Sequence, residues 1–102
     1  MQLFTRKAKV DKNQPDVVKE FRKLGFSVLH IHQIKNAADL VVSKENITAL
    51  IEVKDGSLCP SARKLTKGEW DFMQAWQGLY YICESIEEVH IIAKEMLRRS
   101  AL

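Results

Sequence analysis

Two carboxylates and one amine in this chain are spaced so that they meet only if the backbone folds in one particular way. Asp39 precedes the apolar run Leu40-Val41-Val42-Ser43, and Glu52 and Lys54 close the run that begins Ile47-Thr48-Ala49-Leu50-Ile51. Both runs are short and rich in β-branched residues, so they read as two β-strands joined by a tight turn at residues 44–46. If that turn is a two-residue loop on Glu45-Asn46, Asp39 stands directly opposite Glu52, with Cβ atoms roughly 4.5–5.5 Å apart in an antiparallel pair. Lys54 lies two residues past Glu52, and strand alternation returns it to the same face. Such a cluster costs desolvation and like-charge repulsion, which a divalent cation would offset. The plain alternative is a solvated strand edge, because Glu-x-Lys is a common pattern. Convergence of three charges on one register-determined point favours a functional site.

The elements that must position these residues follow in chain order. Residues 1–10 form a basic arm carrying Arg6, Lys7 and Lys9, either a solubilising tail or a contact for phosphates. A helix is expected next, with Asn13 as N-cap, Pro15 and Asp16 in its first turn and Gly25 as its stop. Val17, Val18, Phe21 and Leu24 make its buried stripe. Gln14 points along that inward face, where it is either wet at the helix end or hung over the carboxylates. A strand over residues 26–32 puts His30 and His32 on one face; exposed or hydrogen-bonded histidines are favoured over a metal pair, because no matching Cys or His pair lies nearby.

Beyond Lys54, residues 55–65 read as a loop in which Arg63 and Lys64, with Lys67 just after it, form a basic cluster. Its ordinary reading is a solvated charge run; beside a metal site it suits a nucleic-acid backbone. Thr66-Lys67-Gly68-Glu69 is a capping box opening a second helix that Gly78 closes. The apolar residues of that helix, Trp70, Phe72, Met73 and Trp76, are expected in the core rather than as platforms for bases. Residues 79–83 form a fourth strand. Ser85-Ile86-Glu87-Glu88 repeats the capping signature before a last helix whose Val89, Ile92, Ala93, Met96 and Leu97 face inward. The order α-β-β-β-α-β-α predicts an α/β (α+β) domain with a mixed four-stranded sheet flanked by helices.

With 102 residues, 46% hydrophobic and 28% charged, the chain suits one domain with a modest core. A net charge of +3 and a pI near 9.0 permit a polyanionic partner without demanding one. Two cysteines, Cys59 and Cys83, fit a reduced, cytoplasmic protein better than a disulfide framework. No apolar run approaches a membrane span, and the basic start has no apolar signal core. Neither cysteine has a convincing base, which argues against a nucleophilic thiol. The four glycines sit at element ends, so no phosphate-cradling loop of the kinase or GTPase kind is present.

Three quoted stretches carry a family resemblance: Ala38-Asp39, then Ile51-Glu52-Val53-Lys54-Asp55-Gly56, then Pro60-Ser61-Ala62-Arg63-Lys64-Leu65-Thr66. With Trp76-Gln77-Gly78 downstream, the chain resembles the PD-(D/E)xK nuclease superfamily. Within it, the chain looks most like the small stand-alone VRR-NUC proteins of phages and bacteria, over residues 11–92. The resemblance implies a restriction-endonuclease-like core and a Mg²⁺- or Mn²⁺-dependent endonuclease acting on branched DNA such as four-way junctions. It makes Asp39, Glu52 and the backbone carbonyl of Val53 the metal ligands. Lys54 would orient or help deprotonate the attacking water and steady the phosphate charge. Ser61, Arg63, Lys64 and Lys67 become DNA contacts. Gln14 falls where archaeal-type Holliday-junction resolvases carry a first-helix Glu, as an outer ligand or the holder of a water. The chain departs from the pattern at Ala38, where a Pro is usual, and at Gln14, which removes one negative charge from a second metal's ligand set. Symmetric cutting of a junction implies a homodimer; a helicase or another replication or recombination protein is a further implied partner. The alternatives are a nucleic-acid-binding module of the same fold that does not cut without a partner, and a structural protein with a charged hairpin.

Overall fold

Two residues turn the chain back on itself at the centre of the fold. In the computed structural model, which describes residues 10–101, Glu45 and Asn46 both take positive φ, 53° and 66°. That pair of conformations is the type I′ hairpin turn, whose twist matches that of the flanking strands. Asn tolerates the left-handed region readily and Glu does not, so the hairpin must hold Glu45 there. Strands β2 (Leu40–Lys44) and β3 (Ile47–Val53) pair antiparallel from Lys44↔Ile47 to Leu40↔Ile51. One more step along that register sets Asp39 against Glu52, as the two-residue loop requires. The expected basic arm at residues 1–10 lies, apart from Val10, outside the described residues.

The remaining elements are α1 (Gln14–Lys23), β1 (Ser27–His30), α2 (Lys67–Ala75), β4 (Leu79–Cys83) and α3 (Ile86–Ser100), with a short 3-10 turn at Pro60–Arg63. The sheet runs β1-β2-β3-β4; β1, β2 and β3 form an antiparallel meander, and β4 pairs parallel to β3 after the α2 crossover. The fold is therefore α+β, a four-stranded mixed sheet with three helices.

Alternation divides the sheet into two unequal faces. Leu40, Val42, Ala49, Ile51 and Val53 share one buried cluster with Val17, Val18 and Phe21 of α1 and Val89, Ile92 and Met96 of α3. Burying aliphatic side chains of this size contributes about 1.5–3 kcal/mol each, so this layer holds the domain together. Glu20 of α1 and His90 of α3 also meet at 2.7 Å. Asp39, Glu52 and Lys54 have the opposite parity and share the second face with Leu50 and Tyr80. Phe72 of α2 approaches the Tyr80 ring there, with centroids 6.4 Å apart.

Several expectations change here. Strand β1 ends at His30, not at residue 32: the Ile31 N–H still donates to the Asp39 carbonyl, but a turn then closes from Ile34 N–H to the Ile31 carbonyl. Asn13 precedes α1, but its side chain does not cap it; Nδ2 donates to the carbonyls of Lys54 and Glu84 at 3.1 and 3.2 Å, tying the ends of β3 and β4 to α1. Gly25 ends α1 region as expected, with φ +92°. The α2 side chains do not enter the core: none is buried, and Trp70 and Trp76 are 52% and 43% exposed. A nine-residue helix resting on the thin face has nothing to bury them against. It stops at Ala75, before Gly78, whose missing side chain instead admits the Trp76 ring; a Cβ there would lie 2.9 Å from Nε1. Leu24 and Leu97 are only partly buried. The Thr66 capping box is complete, whereas Glu88 turns its carboxylate to the Glu84 N–H and leaves the Ser85 box half made.

Because α2 packs so lightly, its cap carries a large share of its stability. Thr66→Ala should cost about 1 kcal/mol, as local opening. Hydrogen exchange should then lose protection at residues 67–75 while the global melting temperature moves little. Protection unchanged in α2 would mean that the cap is dispensable.

Candidate functional site

The hairpin register delivers the two carboxyl groups, and the end of the ladder orients them. The Asp39 N–H donates to the Ile51 carbonyl at 3.0 Å, and the Val53 N–H donates to Asp39 Oδ2 at 2.7 Å. One carboxylate oxygen of Asp39 thus replaces a backbone acceptor that β2 no longer supplies. The N–H and C=O of one strand residue point to the same edge, so the Val53 carbonyl lies on the Asp39 side. Glu52 is 4% exposed. Lys54 Nζ stands 3.4 Å from Glu52 Oε2 and 3.1 Å from Glu69 Oε1. Glu69 Oε1 also accepts the Thr66 N–H at 2.9 Å, so the carboxylate that caps α2 holds the lysine as well.

These groups line one cavity of about 600 Å³, with Asp11, His32 and Lys35 also on its wall. Negative charge dominates it. Burial pushes the Glu52 carboxyl up to about 9, aided by the charges of Asp39 and Glu69 and opposed by Lys54. Burial raises Asp39 too, against the Val53 N–H and a hydrogen bond with Glu52, while Asp11 adds to the rise. Burial alone would lower Lys54, but the hydrogen bond to Glu69 and the charge of Glu52 outweigh it and hold the ammonium above its usual range. Glu69 moves the other way: the Thr66 N–H and Lys54 overcome its burial. Tyr80 is raised by burial and then by Glu52, Glu69 and Asp39, and its buried hydroxyl has no partner.

In the metal-free protein, burial and mutual repulsion therefore favour a proton held by the Asp39–Glu52 pair. A divalent cation would replace that proton. Among the described residues no group of three or more His, Cys, Asp or Glu is placed to hold a metal ion. The available set is two carboxyls and one backbone carbonyl, which suits Mg²⁺ or Mn²⁺, ions that keep several waters and bind through one or two carboxylates plus substrate oxygens. The donor set fits such an ion and not a closed structural site.

The other sequence candidates separate into two places. Gln14 is 2% exposed, with an unpartnered Oε1, and lines a neighbouring cavity of about 370 Å³ with Arg22, His30 and His32 rather than the one holding Asp39. His32 lines both cavities, and neither of its buried ring nitrogens has a partner, against the expectation of an exposed or hydrogen-bonded side chain. Arg63, Lys64 and Lys67 do come together, around a separate cleft of about 650 Å³. Arg63 is already engaged by Glu84 at 3.0 Å and by the Leu58 carbonyl, and Lys67 by Asp71 at 2.8 Å. Ser61 Oγ lies 3.3 Å from Cys59 Sγ.

Sequence reasoning missed Asp11, Glu69, His32 and Tyr80 as residues of this site. Glu69 was visible only as a cap; nothing local shows that it also faces a lysine fifteen residues earlier.

The raised Glu52 carboxyl carries a pH signature. The native state binds its proton more tightly than the unfolded chain does, so between 4.5 and about 9 it carries the extra proton, and stability falls as pH rises through that window. Urea denaturation of the metal-free protein should show this slope. Glu52→Gln should flatten it and stabilise the protein at the alkaline end by on the order of 1–3 kcal/mol. A slope that survives the substitution assigns the titration to another group.

No family model, no curated protein and no solved structure matches this chain, and the functional reading rests on the chemistry of the site.

Proposed function

We propose that this chain is a divalent-metal-dependent DNA endonuclease of the PD-(D/E)xK kind, with a restriction-endonuclease-like core, acting on branched DNA such as four-way junctions. The observation that carries the reading is the pairing of a half-buried Asp39 carboxyl with the buried Glu52 carboxyl, with the Lys54 ammonium 3.4 Å from Glu52. Such a pair is hard to explain as a stabilising device, since two adjacent carboxyls largely withdrawn from water are costly without a cation. It is easily explained as a metal site awaiting charge.

Asp39, Glu52 and the Val53 carbonyl would hold Mg²⁺ or Mn²⁺. When bound, such an ion supplies Lewis acidity toward a phosphoryl oxygen and lowers the pKa of water. The chain's own residues supply the rest. Lys54 stays charged at neutral pH, which suits a donor to the developing charge on the phosphate and does not suit a base. Glu69 fixes the Lys54 side chain from the first turn of α2. The acidic cavity repels a phosphate until the cation is in place, so metal and DNA binding are coupled. A domain this small favours recognition of shape through phosphate contacts over base readout.

Cleavage of a linear duplex, a flap and a four-way junction in Mg²⁺ or Mn²⁺ tests the reading. Junction cutting is expected from the wild type, with about 10²–10³-fold less from Lys54→Ala. Binding without cutting would favour the module that needs a partner such as a helicase, and neither binding nor cutting would sink the proposal. Two cuts in one junction call for two active sites. Sedimentation should therefore find a homodimer on the junction, and a monomer both free and bound would exclude symmetric resolution.

A further inference from the structure

The two tryptophans of α2 differ in what they touch. The Trp76 ring stacks on Phe72, with centroids 5.6 Å apart, and its Nε1–H donates to the Leu79 carbonyl at 3.2 Å. Trp70 is 52% exposed and, among the described residues, makes no ring contact and no side-chain hydrogen bond. Its indole forms a wall of the cleft that also carries Arg63, Lys64, Lys67 and Ile82.

The charges of this cleft are unevenly committed. Its acidic members are engaged within the fold, Glu84 by Arg63 and Glu88 by the Glu84 N–H. Lys64 is exposed and has no ion-pair partner among the described residues. The Lys67–Asp71 pair is mostly solvated, with side chains 89% and 60% exposed, and such pairs yield readily to a stronger anion.

The cleft also adjoins the candidate site. Thr66 lines both, and Trp70 follows Glu69, the partner of Lys54. One residue of helix rotates the side-chain direction by about 100°, which turns Glu69 toward the carboxyl pair and Trp70 into the neighbouring cleft.

We propose that Trp70 is a stacking platform for an unpaired nucleobase, with Lys64 and Lys67 contacting the phosphates beside it. An exposed indole beside one unpaired lysine and one in a solvated pair is an arrangement suited to binding single-stranded nucleic acid without reading sequence. This deepens the nuclease reading, on which it rests, by naming the substrate class: duplex DNA with unpaired nucleotides close to the phosphate that is cut.

Trp76→Phe leaves Trp70 as the sole tryptophan, whose emission is excited selectively over that of Tyr80 and Tyr81. This protein is titrated in buffer containing Ca²⁺, an oxygen-binding cation that can offset the acidic cavity, with a blunt duplex and with the same duplex bearing an unpaired thymidine tail. The tailed duplex should quench Trp70 and bind more tightly. Trp70→Ala should weaken tailed-duplex binding by roughly tenfold, erasing the preference for the tail, while Trp70→Phe keeps most of it. A preference for the tail that persists in Trp70→Ala overturns the proposal, as does the absence of binding to either DNA. Quenching that follows protein concentration, with self-association in sedimentation, overturns it in favour of a second copy covering the indole. Cleavage by the wild type in Mn²⁺ is scored separately. Cutting without tail preference removes only the platform; Trp70-dependent tail binding without cutting supports the platform and removes the nuclease.

Discussion

The turn at Glu45-Asn46 is the constraint on which the rest of this structure depends. Strand side chains alternate with a period of two, so a one-residue slip would send Asp39 and Glu52 to opposite faces and expose the apolar set of one strand, either Leu40 and Val42 or Ala49 and Ile51. The same register therefore builds the core on one face and the carboxyl pair on the other. Core burial stabilises that register strongly enough to hold Glu45 at a φ of 53° and to keep two carboxyl groups adjacent. The cost of the pair falls on a hairpin whose other face is fully packed.

Several residues serve the fold and the site together. Asp39 accepts the Val53 N–H where the ladder runs out, and Glu69 caps α2 while holding Lys54. Asn13, spaced like a helix cap, bridges the carbonyls of Lys54 and Glu84 instead. The consequence is rigidity: Asp39 and Glu69 are each fixed by a backbone hydrogen bond, and Lys54 is held between the carboxyl groups of Glu52 and Glu69. Preorganisation of this kind is what electrostatic catalysis requires.

The two faces of the sheet divide the labour. Helices α1 and α3 bury the centre of one face, and that is where the stability lies. The other face is covered only by α2 and the segment before it, with no buried residue in α2. A thin cover leaves clefts, and the three cavities around Asp39, Gln14 and Trp70 follow from the sparse contacts there and at the sheet's end.

Much of this was legible in the chain itself, because the determinants act over a few residues. Turn length, strand alternation, the stop at Gly25 and the capping box at Thr66 are set by neighbours, and they suffice to bring Asp39, Glu52 and Lys54 together. The amphipathic stripes of α1 and α3 likewise declare their buried faces through periodicity. What the sequence left open depends on contacts between distant segments. Only the tertiary structure joins Glu69 to Lys54, sets Asp11 near Asp39, strands the ring nitrogens of His32 and separates Gln14 from the carboxyl cavity. It also decides that Trp70 is a surface residue, since an apolar side chain is buried only if another element covers it. Local pattern states which face a helix offers; only the packing of the whole chain determines whether anything comes to meet it.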